Sequence, residues 1–169
     1  MDTVIFRERL HPRATNIALG VVAGLAAGTV VWPFHEVAGY VLAAVAALTI
    51  DVLLWVTSPV VVVDLGAAEL GETPVLHAGS AHIGVEHLGE PEVLDVDGLR
   101  AAMGPEADAR AFVCHRPWVR QGVRVAVVDP RDPAPYWLVA SRRPAELAAA
   151  LRRAGQAAHS EQTSWPPSS

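Results

Sequence analysis

The chain has no lysine, a single cysteine and few aromatic residues, and it carries no excess of positive charge. One cysteine, Cys114, excludes a disulfide within the chain and fits a reducing compartment. A net charge of −5 argues against nucleic acid as a partner, because that role needs a basic footprint. The missing lysine accompanies abundant Ala, Val, Gly and Pro and reads as the codon bias of a GC-rich genome, without functional meaning. Charge is also missing locally. Between Asn16 and Thr57 the only formal charges are Glu36 and Asp51.

Catalytic patterns are missing too. His35-Glu36 begins an H-E pair, but Gly39 stands where H-E-x-x-H needs its second histidine. His77, His82 and His87 recur every five residues. Five steps along one strand reverse the face, so neighbouring members are expected to point apart and to lie on the surface. Cys114 and His115 are sequence neighbours, expected on opposite sides of a strand, out of reach as nucleophile and base. There is no phosphate-binding glycine loop and no paired-carboxylate motif. The expectation is a protein without enzymatic activity, metal or cofactor.

What is present is apolar residue packed into one block: hydrophobic residues make up 51% of the chain, and mean hydropathy is +0.29. A bilayer core takes about 20 apolar residues in a helix. Two runs approach that, predicted as helices over about 13–32 and 36–57 within a transmembrane hairpin at 12–58. Pro12 suits the first helical turn, Pro33 stops the first helix, and Pro59 follows the second. A signal peptide is the rival reading of the first run, since Arg7, Arg9 and Arg13 precede it. The second apolar run follows too closely to leave room for cleavage. Two buried helices of a soluble protein are the other rival, and runs apolar on every face argue against it.

The short turn Pro33-Phe34-His35-Glu36 makes the helices antiparallel neighbours. Gly20, Gly24 and Gly28 on one, and Gly39, Ala43 and Ala47 on the other, repeat every four residues. Small residues at that spacing let backbones approach in lipid. A homodimer face is the competing use of the glycines. Asp51 continues the second ridge. A carboxylate in the bilayer costs roughly 2.5–3.5 kcal/mol at the centre, so a partner is expected. Folding about Phe34 sets it opposite Ile17, with Asn16 and Arg13 the nearest polar candidates. Basic residues before the first helix and none in the turn place both termini in the cytoplasm of a multi-pass plasma-membrane protein. Trp32 and Trp55 fall at opposite interfaces.

The remainder divides into an N-terminal cytoplasmic segment, 1–11, a soluble β-rich domain, 59–155, and a polar tail, 156–169, expected to be disordered. Glycine-punctuated strands are predicted around Val60–Val63, Val75–Ala78, Ala81–Val85, Glu92–Leu94, Ala111–His115, Val123–Val128 and Tyr136–Ala140. Asp97 is expected to cap a short helix through Ala102, and Pro144 to open a helix ending at Ala154-Gly155. The class is thus a membrane α-helical hairpin plus an α+β domain, a small antiparallel barrel or sheet with a C-terminal helix. A pleckstrin-homology-like barrel is suggested, with a generic α+β sheet as the alternative.

Charge in this domain is lopsided. Asp64 to Asp108 holds ten acids and one arginine, and Arg110 to Arg153 holds nine arginines and three acids. Either the halves face each other, or Arg116, Arg120, Arg124, Arg142 and Arg143 form a basic surface toward anionic lipid. The segment from Asp129 to Trp137, with three prolines, is expected to be a rigid Asx-turn connection. Its functional alternative is a recognition loop built on Asp129, Asp132, Tyr136 and Trp137.

A series of motifs, Glu8-Arg9-Leu10, the hairpin, Arg116-Pro117-Trp118, Asp129-Pro130-Arg131-Asp132-Pro133, Pro135-Tyr136-Trp137 and Arg142-Arg143-Pro144, resembles an uncharacterised actinobacterial family of two-helix membrane proteins, domain of unknown function 3093. The resemblance covers nearly all of residues 5 to 153. At Ala140-Ser141 the family pattern has Ser-Thr. It implies a membrane location and brings no activity. The reading is a membrane-tethered, non-catalytic module contacting protein or lipid. The alternatives are an accessory subunit of a larger membrane complex, or an enzyme acting on a membrane substrate. The implied partners are the bilayer, anionic lipid, and a protein partner or second copy through the hairpin.

Overall fold

The computed structural model describes residues 3–12, 14–66 and 72–164. The chain forms two compact units, Met1–Leu10 with Pro59–Ser169, and His11–Ser58. The hairpin is therefore an insertion within a domain and not a prefix to one. The cause is a strand the apolar pattern concealed. β1 (Val4–Arg9) alternates, burying Phe6 and Glu8 while exposing Arg7, and the buried carboxylate interrupts the apolar signal. It pairs antiparallel with β2 (Val60–Asp64), Arg9 opposite Val60 and Phe6 opposite Val63. The expected N-terminal segment 1–11 is thus largely part of the domain. Leu10 N–H donates to Pro59 O at 3.0 Å, so the chain leaves the domain and returns to it at one point.

β3 (Val75–Ala78) and β4 (Ala81–Gly84) complete an antiparallel sheet in the order β1-β2-β3-β4. Their two-residue connection includes Gly79 at φ +67°, a left-handed conformation suited to glycine. β5 (Leu88–Leu94), β6 (Phe112–Cys114), β7 (Gly122–Val127) and β8 (Tyr136–Ala140) form the second sheet, ordered β5-β7-β8-β6. Its β6–β8 pair is parallel, which corrects the all-antiparallel expectation. β6 is reached after the helical crossover of α3 (Val96–Met103), and such crossovers permit parallel neighbours where hairpins do not. Asp95, not Asp97, caps α3, accepting from Gly98 N at 2.8 Å.

One core joins Val61, Val63 and Leu76 of the first sheet to Val123, Val125, Trp137 and Val139 of the second. α4 (Pro144–Ser164) adds Leu147, Leu151 and Ala154. α3 covers the second sheet's other face with Leu99 and Ala102 against Leu94 and Leu138. α4 runs on to Ser164 where a stop at Gly155 and a disordered tail were expected. A helical glycine costs about 1 kcal/mol relative to alanine. Burial of Ala154 and Ala158 on either side of Gly155 offsets it.

In the other unit, α1 (Ala14–Val31) and α2 (Glu36–Val56) are both long and apolar enough to cross a membrane. They bury glycine and alanine and expose their large residues, such as Leu25, Val30, Leu48 and Leu53. That inverts the pattern of soluble core helices.

Candidate functional site

The helix ridges meet as their spacing predicts. A Cβ on Gly24 would stand 2.6 Å from Ala43 O and 2.7 Å from the Ala47 Cβ. On Gly28 it would stand 2.7 Å from Gly39 O and 2.8 Å from the Ala43 Cβ. Only glycine permits that approach. The same ladder places Gly20 against Asp51, where a Cβ would run into the carboxylate. The expected position opposite Ile17 is off by about one turn. Val31 O accepts from both Phe34 N and His35 N, and His35 Nδ1 caps α2 by accepting from Ala38 N, so the bend is centred beyond Phe34. Asp51 makes no hydrogen bond to Asn16, and its Oδ1 is buried without a hydrogen-bond partner among the described residues. Arg13, the other expected partner, lies outside those residues.

In the domain, Trp118 and Arg142-Arg143, from the motifs that carried the family resemblance, meet the segment Arg7 to Leu10. Glu8 is 7% exposed, and both its oxygens are engaged. Ser141 Oγ donates to Oε2 at 2.5 Å, and Arg142 N–H donates to Oε1 at 3.0 Å. Ser141 Oγ in turn accepts from Arg143 N at 3.0 Å. A carboxylate buried this way is tied by charge-assisted bonds to the start of α4. Leu10 is fully buried, and Trp118 Nε1 donates to its carbonyl at 3.0 Å. Glu8, Ser141 and Trp118 thus fix the strand through which the chain leaves the domain. Sequence reasoning quoted these residues as motif without finding their role, because hydrogen bonds between residues more than a hundred positions apart leave no periodic signal.

The same ties gather arginines. Arg116 and Arg120 flank Trp118 on a loop whose Gln121 O accepts from Ser141 N at 3.0 Å. Arg142 and Arg143 follow Ser141. The Arg143 guanidinium donates to Arg7 O at 3.0 Å, lies 5.1 Å from the Phe6 ring centroid and pairs with Glu146 at 3.1 Å. With Arg7 and Arg9 on β1, six arginines lie on β1 or on the two segments tied to it and to Leu10. Glu8 is buried and engaged by Ser141 and Arg142, and Glu146 pairs with Arg143. Arg124 does not join them. It sits mid-strand on β7, 2.7 Å from Glu92, with its guanidinium over the Tyr136 ring. Arg124–Glu92 and Arg152–Glu90 join the basic half to the acidic half, so part of the charge asymmetry closes within the fold.

The Asp-Pro segment is a structural turn. Asp129 Oδ1 accepts from Arg131 N and Asp132 Oδ1 from Ala134 N, the expected Asx-turns. The Arg131 guanidinium bonding Asp129 holds its carboxyl down to about 2. Trp137 is 5% exposed and packs on Phe112 at 4.1 Å between centroids. Tyr136 is half-buried, and its OH accepts from Asp108 N. Of the two aromatics of the candidate recognition loop, Trp137 is core and Tyr136 braces the backbone at Asp108.

The titratable residues flagged in the sequence stay apart. Burial pushes the Cys114 thiol up. His115 is held down by burial, with Arg116 nearby adding to the effect, and its Nε2 bonds Val119 O at 3.1 Å. Asp129 instead lies 3.8 Å from His87. His77 and His82 do meet, with ring centroids 5.9 Å apart, because the turn after Ala78 folds β4 back against β3. The face-reversal argument applied only along one strand. The described residues contain no group of three or more metal-ligating side chains.

No curated protein and no solved structure matches the chain. The family model described as protein of unknown function (DUF3093) matches residues 5–151, and the chain belongs to that family.

Proposed function

We propose that the protein is a multi-pass plasma-membrane protein whose hairpin tethers a cytoplasmic, non-catalytic interaction module, and that the arginines at the Leu10–Pro59 end face the anionic inner leaflet. The observation that carries this is the β1–β2 pairing. The strands before and after the hairpin are neighbours in one sheet, so a bilayer crossed by the hairpin has both on the same side. At 1.5 Å per residue α1 and α2 extend about 27 and 32 Å, near the roughly 30 Å of a hydrocarbon core. Exposed Trp32 and Trp55 suit its two interfaces. Signal cleavage after α1 would remove an edge strand along with Glu8 and Leu10, which argues against the signal-peptide reading.

Anionic lipid attracts about 1 kcal/mol per basic residue near the surface. Arg7, Arg120, Arg142 and Arg143 are exposed, and β1 ends at Arg9, five residues before α1 begins. The pleckstrin-homology-like plan rests on two four-stranded sheets with a C-terminal helix on their shared core, and the parallel β6–β8 pair departs from a simple meander.

The test is limited proteolysis of the whole protein in nanodiscs of phosphatidylcholine with or without phosphatidylglycerol. The proposal predicts protection of the Arg116–Arg120 and Arg142–Arg143 segments by the anionic lipid, lost in R120E/R142E/R143E and in high salt. Equal cleavage in both lipids refutes the leaflet contact. A stoichiometric membrane partner recovered in detergent would favour the accessory-subunit reading instead.

A further inference from the structure

The membrane-facing reading leaves several concave features unexplained, and one of them lies beside α3. Between α3 and the loop that carries Trp118 lies a groove of about 370 Å³. Val96, Met103 and Pro117 contribute its accessible apolar surface over a floor of buried Leu99 and Val119, and Arg100, Arg120 and His115 its polar groups. Among the described residues no carboxylate lines it. Met103 is 41% exposed there, an unbranched thioether side chain left uncovered on the helix. The Arg100–Asp97 pair is 3.5 Å long and exposed on both sides, a contact of little worth that leaves Arg100 exchangeable. The loop wall is fixed: Val119 N donates to Arg116 O, His115 bonds Val119 O, and Trp118 bonds Leu10 O.

An apolar groove rimmed by arginine and free of carboxylate complements a molecule with an anionic head and a hydrocarbon body.

We infer that the α3 groove holds one anionic phospholipid, its phosphate between Arg100 and Arg120 and part of an acyl chain along Val96, Met103 and Pro117. This rests on the membrane-facing reading above and goes beyond general surface attraction to a single stoichiometric site. The planar guanidinium fork supplies paired donors to phosphate oxygens. A zwitterionic lipid brings a cationic head against the arginines and is disfavoured.

The test is native mass spectrometry of the full-length, delipidated protein in detergent, titrated with phosphatidylglycerol or phosphatidylcholine. The expected result is a one-to-one phosphatidylglycerol adduct at several-fold lower lipid concentration than any phosphatidylcholine adduct. R100A/R120A should reduce it by about tenfold, and M103W, which fills the groove while keeping every arginine, should reduce it likewise. R153A, an exposed arginine on α4 outside the groove, should leave it in place. Unchanged melting temperatures show that the variants fold. Inorganic phosphate and glycerophosphoglycerol at millimolar concentration should not compete. Full competition by either would make the ligand a soluble phosphate and overturn the lipid assignment. Adducts blind to headgroup, or indifferent to both variants, would overturn the site. Carbonate extraction of native membranes separates the two readings. Release of the protein sinks the membrane reading itself, whereas retention without a phosphatidylglycerol adduct sinks only the groove.

Discussion

Replacing Glu8 with alanine removes the acceptor for two donors, Ser141 Oγ and Arg142 N–H, which close on it at 2.5 and 3.0 Å. Hydrogen bonds to a charged group are worth about 1.5–3 kcal/mol each. Against that, the carboxylate recovers a desolvation penalty of several kcal/mol when it is removed. The difference is decided by the orphans. Ser141 can turn toward solvent only by giving up Arg143 N, which its hydroxyl also holds. The Arg142 amide is half-buried and is left without its partner. The net expectation is a loss of about 2–4 kcal/mol, or roughly 10–20 °C in Tm for a domain of this size. E8Q, which keeps one neutral acceptor in the same shape, should lose less than half of that. Thermal unfolding of the full chain in detergent, followed by the fluorescence of buried Trp118 and Trp137, reads the shift. A double-mutant cycle with S141A should give a coupling of about 1–2 kcal/mol. A Tm within about 2 °C of the parent in E8A, or additive single and double variants, refutes the claim that this carboxylate ties β1 to the start of α4.

In the hairpin, G24L drives a side chain into Ala43 O and Ala47 and should cost about 1–3 kcal/mol of helix association, while A18L on the exposed face should cost little. Compact migration of both variants in mild detergent electrophoresis would contradict this. Cys114 has a raised thiol pKa and is buried, so it should react with a thiol reagent at pH 8 many times more slowly in the folded protein than in denaturant. His115 titrates below its ordinary value near 6.5, so the unfolded chain takes up the proton first. Stability should therefore be highest above about pH 6.5, decline as pH falls, and level off below the folded value. H115N should flatten that decline in a pH series of melting curves. A chain beginning at Pro59 lacks β1, Glu8 and Leu10 and should fail to give a cooperative melt, whereas a chain with residues 3–10 joined to 59–164 by a short glycine linker should recover one.

The hairpin was legible because its signals are local: apolar runs, prolines at their ends and four-residue spacing of small side chains. The offset of the two helices was not, because it depends on how Val31 O shares its two donors in the bend, and that offset moved Asp51 from Ile17 to Gly20. Most strands were legible from β-branched runs and glycines. β1 was hidden by Glu8, a buried charge in an apolar position that makes sense only once Ser141 and Arg142 are beside it. The Asp-Pro segment announced its Asx-turns through its composition. Its aromatics were harder to place, since Trp137 reads the same in a sequence whether it is a binding anchor or core. The arginines at the Leu10–Pro59 end could be counted but not grouped, because Arg142 and Arg143 meet β1 through tertiary hydrogen bonds, while Arg124 is diverted to Glu92.

The account turns on the hairpin crossing the membrane with the domain on the cytoplasmic side. Single cysteines at Glu36 and at Ser160, both exposed positions, can be labelled on intact cells with a membrane-impermeant thiol reagent, with buried Cys114 giving little background. The account predicts labelling at position 36 and none at 160 until the cells are opened. Labelling at 160 on intact cells would place the domain outside and contradict the orientation, and labelling at neither would contradict the crossing itself.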